Sequence, residues 1–227
     1  MSVHAKNHED LVKFYIGDKS GKSNIFEVWE NGGSHGDSVT PSTYSPEYRA
    51  WMADRLTSEL QLNGGALLSL GCGNAAVEAE VQRRGFRVLA IDAMQDAVDL
   101  ARQKGIEAIC ADIYSWQPSE PFSVIYIDGV LGHLNDDAEG LVPVLSRIRT
   151  WLSPLNGRAT LLASNDAPKN DEKVQKAPGV NGFSWLSGEY IGEQAMKAGF
   201  TSADVGEFRY TRPISGGRVR AVVAAQL

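Results

Sequence analysis

The stretch Leu68-Ser69-Leu70-Gly71-Cys72-Gly73-Asn74-Ala75 restricts the possible folds more than any other part of the chain. A short apolar run enters Gly-x-Gly and leaves it into a helical pattern from about Ala75 to Arg84. Glycine at both positions allows a tight turn and lets a ligand approach the backbone closely. The helix that follows offers unpaired N–H groups at its first turn. Asp92 lies twenty-one residues after Gly71, at the end of the next apolar run, Phe86–Ile91. A carboxylate there can accept both ribose hydroxyls of an adenosine.

Helix and strand patterns alternate on both sides of this turn. Ser45-Pro46 opens a helix with proline at its first position. Tyr48, Trp51, Met52, Leu56 and Leu60 follow at helical spacing, and Asn63-Gly64-Gly65 stops them. Strands are predicted over 66–70, 86–91, 107–110, 122–127 and 158–163, and helices over 75–84, 94–104 and 137–152. Strands separated by single helices imply parallel pairing through right-handed crossovers. Residues 165–186 are polar and read as one long loop, a length that in a compact domain is usually functional or disordered. A helix over 187–198 and strands over 203–210 and 218–225 close the chain, so the sheet is expected to end antiparallel. The expected fold is α/β, Rossmann-like, with helices on both faces.

Residues 1–43 have apolar faces (Leu11, Val12, Phe14 and Tyr15; Ile25, Phe26, Val28 and Trp29) but too few of them for a core of their own. They are expected to order as a lid over a domain spanning 44–227. A length of 227 residues suits this division. The 28 acids against 22 Lys and Arg give a net charge of −6, which disfavours broad nucleic-acid binding. The two cysteines, Cys72 and Cys110, cannot form a disulfide framework and favour a reducing, cytoplasmic setting. No apolar run approaches the roughly 20 residues of a membrane span, and the N-terminus has no apolar targeting core. No His, Cys, Asp or Glu cluster has metal-ligand spacing.

The glycine stretch also fits Gly-x-Gly-x-x-Ala, the dinucleotide fingerprint. However, it starts only after a helix, and about 155 residues remain beyond it, too few for a separate substrate domain. The motif order and the closing hairpin resemble instead the class I S-adenosylmethionine (SAM)-dependent methyltransferases, over residues 44–227. That resemblance implies a seven-stranded sheet whose last strand is antiparallel, with SAM as cofactor. It also implies that Gly71, Cys72 and Gly73 line the methionine moiety and that Asp92 holds the ribose. Ala93 and Met94 would pack by the adenine, and Asp112 and Ile113 would meet its amino group and ring. Ile127-Asp128-Gly129-Val130-Leu131-Gly132-His133 resembles the segment beside the reacting methyl. Two positions depart from the family: Ser69 replaces the acid that opens the first motif, and Ala75 replaces its third glycine.

His133 is a candidate general base, with Asp128 and Tyr44 beside it as catalytic candidates. Cys72 sits where a small residue is needed and has no visible base. Arg49, in the cluster Tyr44, Tyr48, Arg49, is a candidate bidentate partner for the SAM carboxylate, with Tyr15 or Tyr44 donating to the same group. Asn165, Phe183 and Trp185 are candidate substrate contacts. Methyl transfer from a sulfonium is an in-line displacement that asks mainly for proximity and orientation. The expected acceptor is a small molecule, since no adenine-methylating motif follows the fourth strand. A second reading comes from a resemblance of Thr43–Arg49 and the aromatic N-terminal segment to azetidine-2-carboxylate synthases. In that reading the amine of SAM displaces methylthioadenosine and no second substrate exists.

Overall fold

The structure is a computed structural model and describes residues 12–16, 24–34, 36, 37 and 39–227. Leu11, expected on the first apolar face, lies outside the described residues, as does much of the 1–43 segment. The centre is a seven-stranded sheet in the order β3-β2-β1-β4-β5-β9-β8. Strands β1 (Leu67–Leu70), β2 (Val88–Asp92), β3 (Glu107–Cys110), β4 (Val124–Asp128) and β5 (Thr160–Asp166) run parallel. β9 (Gly216–Gln226) pairs antiparallel with both β5 and β8 (Ser202–Arg212).

Side-chain alternation along the buried strands sorts the core into two layers. Leu68, Leu70, Ile125 and Ile127 point to the face covered by two helices, Val142–Arg149 and Gly188–Lys197. Leu67, Val124 and Tyr126 point to the other face, under the helices Pro46–Asn63, Ala76–Arg83 and Gln95–Gln103. The Pro46–Asn63 helix begins as its sequence suggests. Ser45 caps it by accepting the Tyr48 N–H at 3.3 Å, and Gly64 at φ +73° ends it.

Register decides what the sheet presents at its carboxyl edge. Leu70 lies opposite Ile91 on one side and Ile127 on the other. Gly71, Asp92 and Asp128 therefore leave three adjacent strands side by side, at the edge where open α/β sheets bind ligands.

Two expected elements differ in the structure. The helix expected over 137–152 is confined to Val142–Arg149, because Asp136 and Gly140 exchange backbone hydrogen bonds and the Asp136 carboxylate accepts the N–H groups of Ala138 and Glu139. The expected loop over 165–186 contains a two-stranded hairpin, β6 (Val174–Lys176) with β7 (Ser184–Leu186), which buries Trp185 and Leu186.

A third apolar cluster sits over the carboxyl edge. Ile25, Phe26, Trp29 and Val39 pack there on Met94 and Ala97. The short helix Ile25–Glu30 is capped by Asn24, which accepts the Phe26 N–H at 2.9 Å. This roof is tied to the far end of the sheet. Asp37 accepts the N–H groups of Ile214 at 2.9 Å and Ser215 at 3.0 Å, at the tip of the β8–β9 hairpin. The Tyr44 hydroxyl donates to the Thr211 carbonyl nearby. No helix among the described residues is long and apolar enough to cross a membrane.

Candidate active site

A cavity lies between the roof and the carboxyl edge of the sheet. Gly71 and Gly73 form its floor. Gly71 stands at φ +72°, and a Cβ there would collide with the Val130 side chain. Gly73 stands at φ +54°, and a Cβ on it would meet nothing closer than Trp29, at 3.9 Å, so it would project into the cavity. One glycine is required by packing and the other by backbone conformation and open space. Ala75 is left-handed too, at φ +52°, the conformation that the family's third glycine adopts without strain.

Asp92 braces the glycine turn. Its carboxylate accepts the Gly73 N–H at 3.0 Å and the Met94 N–H at 2.9 Å. Burial nevertheless raises its pKa to about 6, and its own backbone hydrogen bonds only partly offset that rise. Ala93, Met94, Asp112 and Ile113 line the adjoining slot.

Asp128 also lines the cavity but is differently supported. Arg220 reaches it from β9 with Nη2, Ser164 donates to the same oxygen, and Tyr126 donates to the other at 2.9 Å. Desolvation opposes ionisation, but the guanidinium and these donors hold the carboxyl below its ordinary range. Asp128 is thus a committed anion with its acceptor capacity largely taken, so it is poorly placed to remove a proton.

His133 lines the wall and meets Tyr15 of the roof, Nε2 to hydroxyl, at 2.9 Å. Phe183 backs its ring, with 4.5 Å between centroids. Burial lowers the imidazole pKa to about 4, so the ring is neutral at neutral pH. Burial also pushes the Cys72 thiol well up, which leaves it un-ionised.

Of the residues singled out by sequence, Tyr15, Gly71, Cys72, Gly73, Asp92, Ala93, Met94, Asp112, Ile113, Asp128 and His133 line this one cavity. Five others do not. Arg49 spends its guanidinium on the backbone, with Nε to the Ser42 carbonyl at 2.8 Å and Nη2 to that of Thr43. It thereby shapes the segment Thr40–Thr43, whose residues Thr40, Ser42 and Thr43 do reach the cavity. Tyr44 is turned toward the β8–β9 hairpin. Asn165 is fully buried, accepting the Gly132 N–H at 3.2 Å and donating to the Ser184 carbonyl at 3.1 Å. Phe183 stands behind His133, and Trp185 lies under the Arg218 guanidinium, 4.0 Å from its ring centroid.

Sequence reasoning missed Glu78. It sits on the first turn of the Ala76–Arg83 helix, lines the cavity and accepts the Ser69 hydroxyl at 2.6 Å. The signal available was the departure at Ser69: a hydroxyl where an acid is usual invites a search for a carboxylate within its reach.

A family model described as "Methyltransferase domain" matches residues 67–155, the stretch from β1 to just beyond the Val142–Arg149 helix. A relative from Pseudomonas amygdali pv. tabaci, named a tabtoxin biosynthesis enzyme, is 41% identical over 204 residues, covering 88% of this chain and 80% of its own. The chain belongs to the class I SAM-dependent methyltransferase family. Among solved structures, the fold of this methyltransferase is similar to that of a Burkholderia thailandensis 1,6-didemethyltoxoflavin-N1-methyltransferase, with TM-score 0.69, 16% identity and coverage of 99% and 90% of the two chains. A magnesium protoporphyrin IX methyltransferase from Synechocystis PCC 6803 shares the fold at TM-score 0.60 and 16% identity, with 95% and 96% covered. The seven-stranded order, with the last strand of the chain inserted antiparallel between β5 and β8, is that of the family.

The cavity fits the cofactor on its own evidence. Gly73 leaves open the space that a Cβ would fill, and Asp92 closes β2 beside it. Glu78, Asp92, Asp112 and Asp128 line the cavity, whereas no Lys or Arg does among the described residues.

Proposed function

We propose that this chain transfers the methyl group of SAM to a small-molecule acceptor, with residues 1–43 acting as a lid. The observation that carries this reading is the acid-lined, glycine-floored cavity at the carboxyl edge of β1, β2 and β4. Bound SAM supplies a methyl group already activated on a sulfonium. The protein then contributes orientation, water exclusion and charge complementarity. Asp92 accepts from the ribose, Met94 and Ile113 flank the adenine, and the Gly71–Gly73 backbone follows the methionine moiety. His133, neutral and paired with Tyr15, forms the acceptor-side wall and offers a hydrogen-bond site. With its low pKa it is a weak base at neutral pH, which suits an acceptor that needs little deprotonation. The toxin-biosynthesis name of the 41%-identical relative supports a small metabolite as acceptor. The two free cysteines favour a reducing, cytoplasmic setting.

Cyclisation of SAM itself is not favoured. In the Thr43–Arg49 segment that suggested it, Tyr44 and Arg49 spend their donors on backbone carbonyls and do not line the cavity. The test is mass spectrometry of purified protein with SAM, with and without a metabolite extract. S-adenosylhomocysteine that appears only with extract supports methyl transfer. Methylthioadenosine accumulating from SAM alone would overturn it.

A further inference from the structure

Glu78 is 3% exposed, and Ser69, which donates to it, is 1% exposed. One neutral hydroxyl and the residue's own backbone N–H are modest partners for a buried carboxylate, because a buried charge without a counter-charge is costly. The groups around it add no cation. Asp92 faces it from β2, Asp128 and Tyr126 from β4, and Cys72 from the glycine turn. The neighbouring Pro46–Asn63 helix carries Asp54, whose ion pair with Arg84 lies at the opposite end of the Ala76–Arg83 helix. Such a carboxylate, opening onto a cavity that no Lys or Arg lines among the described residues, is arranged to receive a cation from the ligand.

We infer that Glu78 and Ser69 together form the ammonium subsite for SAM, the helix-borne carboxylate doing what an acid at the end of β1 would otherwise do. This rests on the SAM reading above and extends it to a residue that the motif does not contain. The geometry requires both partners. Ser69 is held in register between Ala90 and Tyr126 and orients the longer Glu78 side chain by its hydroxyl. Burial raises the Glu78 pKa to about 7, so the free protein holds this carboxyl partly protonated near neutrality and a bound ammonium draws out the proton.

The experiment is calorimetry of the full chain with SAM and with a deaminated analogue whose sulfonium, adenosine and carboxylate are intact. Wild type is expected to bind SAM roughly 10- to 100-fold tighter than the analogue, as for hydrogen bonds to charged groups. Glu78→Gln is expected to lose most of that preference while binding the analogue about as well as wild type. Wild-type affinity for SAM should fall as pH drops below about 7, and the variant should lose that fall. The pair Ser69→Asp with Glu78→Ser, which returns the acid to the strand, is expected to restore the preference. Equal wild-type affinity for SAM and the analogue overturns the assignment even if every variant fails to fold. An unchanged preference in a folded Glu78→Gln does the same. A wild type that binds neither compound overturns the SAM reading itself.

Discussion

Two carboxyls in the cavity, Glu78 and Asp92, sit above their ordinary range, at about 7 and about 6. Their folded-state pKa values exceed the unfolded ones. Each therefore favours the folded state fully only below its unfolded pKa, and that contribution is lost as pH rises through the folded value. The ligand-free protein should lose stability between about pH 4 and pH 7 through these two groups. Glu78→Gln keeps an acceptor for the Ser69 hydroxyl and removes the charge. We expect it to raise the melting temperature of the ligand-free protein at pH 8 more than at pH 5, by about 2–4 °C for each kcal/mol relieved in a domain of this size. Differential scanning calorimetry at the two pH values checks this. A melting temperature lowered at pH 8 would show that the carboxylate is well compensated without ligand. The same substitution is expected to weaken SAM binding, so stability and binding are opposed at this residue.

At the scale of elements, the roof has its own small cluster, separate from the two layers that cover the sheet. Trp29 meets Phe26 edge-on at 5.5 Å between centroids and Tyr15 at 6.0 Å. Truncating a buried aromatic costs about 3–5 kcal/mol. Here the loss should fall on the local opening of the roof rather than on the sheet. We expect Trp29→Ala to speed amide hydrogen exchange across residues 24–44 and to accelerate SAM dissociation, with exchange in β1 and β4 unchanged. Exchange accelerated equally throughout would mean that roof and sheet unfold as one unit. Tyr15 and His133 join the same roof to the cavity wall, so the loss should reach the acceptor side as well.

For the whole molecule, the buried polar network at the β4–β5–β9 edge matters most. Arg220 is fully buried and ion-paired to both Asp128 and Asp166, the latter at 3.2 Å. Asp166 also takes the Tyr210 hydroxyl at 2.7 Å and the Arg212 guanidinium. Tyr48, from the helix on one face, bonds Ser164 at 3.0 Å within the same network. Removing one partner of a buried pair leaves the other charge uncompensated, at about 3–5 kcal/mol. We expect Arg220→Leu to lose that much in urea unfolding, and Arg209→Leu, on the exposed side of β8, to lose less than about 1 kcal/mol. Comparable losses in the two variants would show that the network is not what holds this edge.

The glycine turn, Asp92 at the end of the next strand and the alternation of helices with strands were legible without coordinates, because each depends on local periodicity or on a backbone conformation that few residues adopt. The closing strand patterns also placed the antiparallel hairpin at the end, whereas most of the eleven expected residues that share one cavity came from the resemblance to the family. The hairpin inside 165–186 was not legible, because three-residue strands are too short to show a period. Arg49 beside two tyrosines looked like a carboxylate clamp, yet the nearby Ser42 and Thr43 carbonyls claim its donors. Asp128 and Arg220 are 92 residues apart, and Glu78 meets Ser69 across a strand–helix turn. Which charge neutralises which depends on strand register and helix rotation in the packed sheet. Composition and spacing determined the floor of the site, and tertiary packing alone decided which of its acids meets a guanidinium and which meets only a hydroxyl.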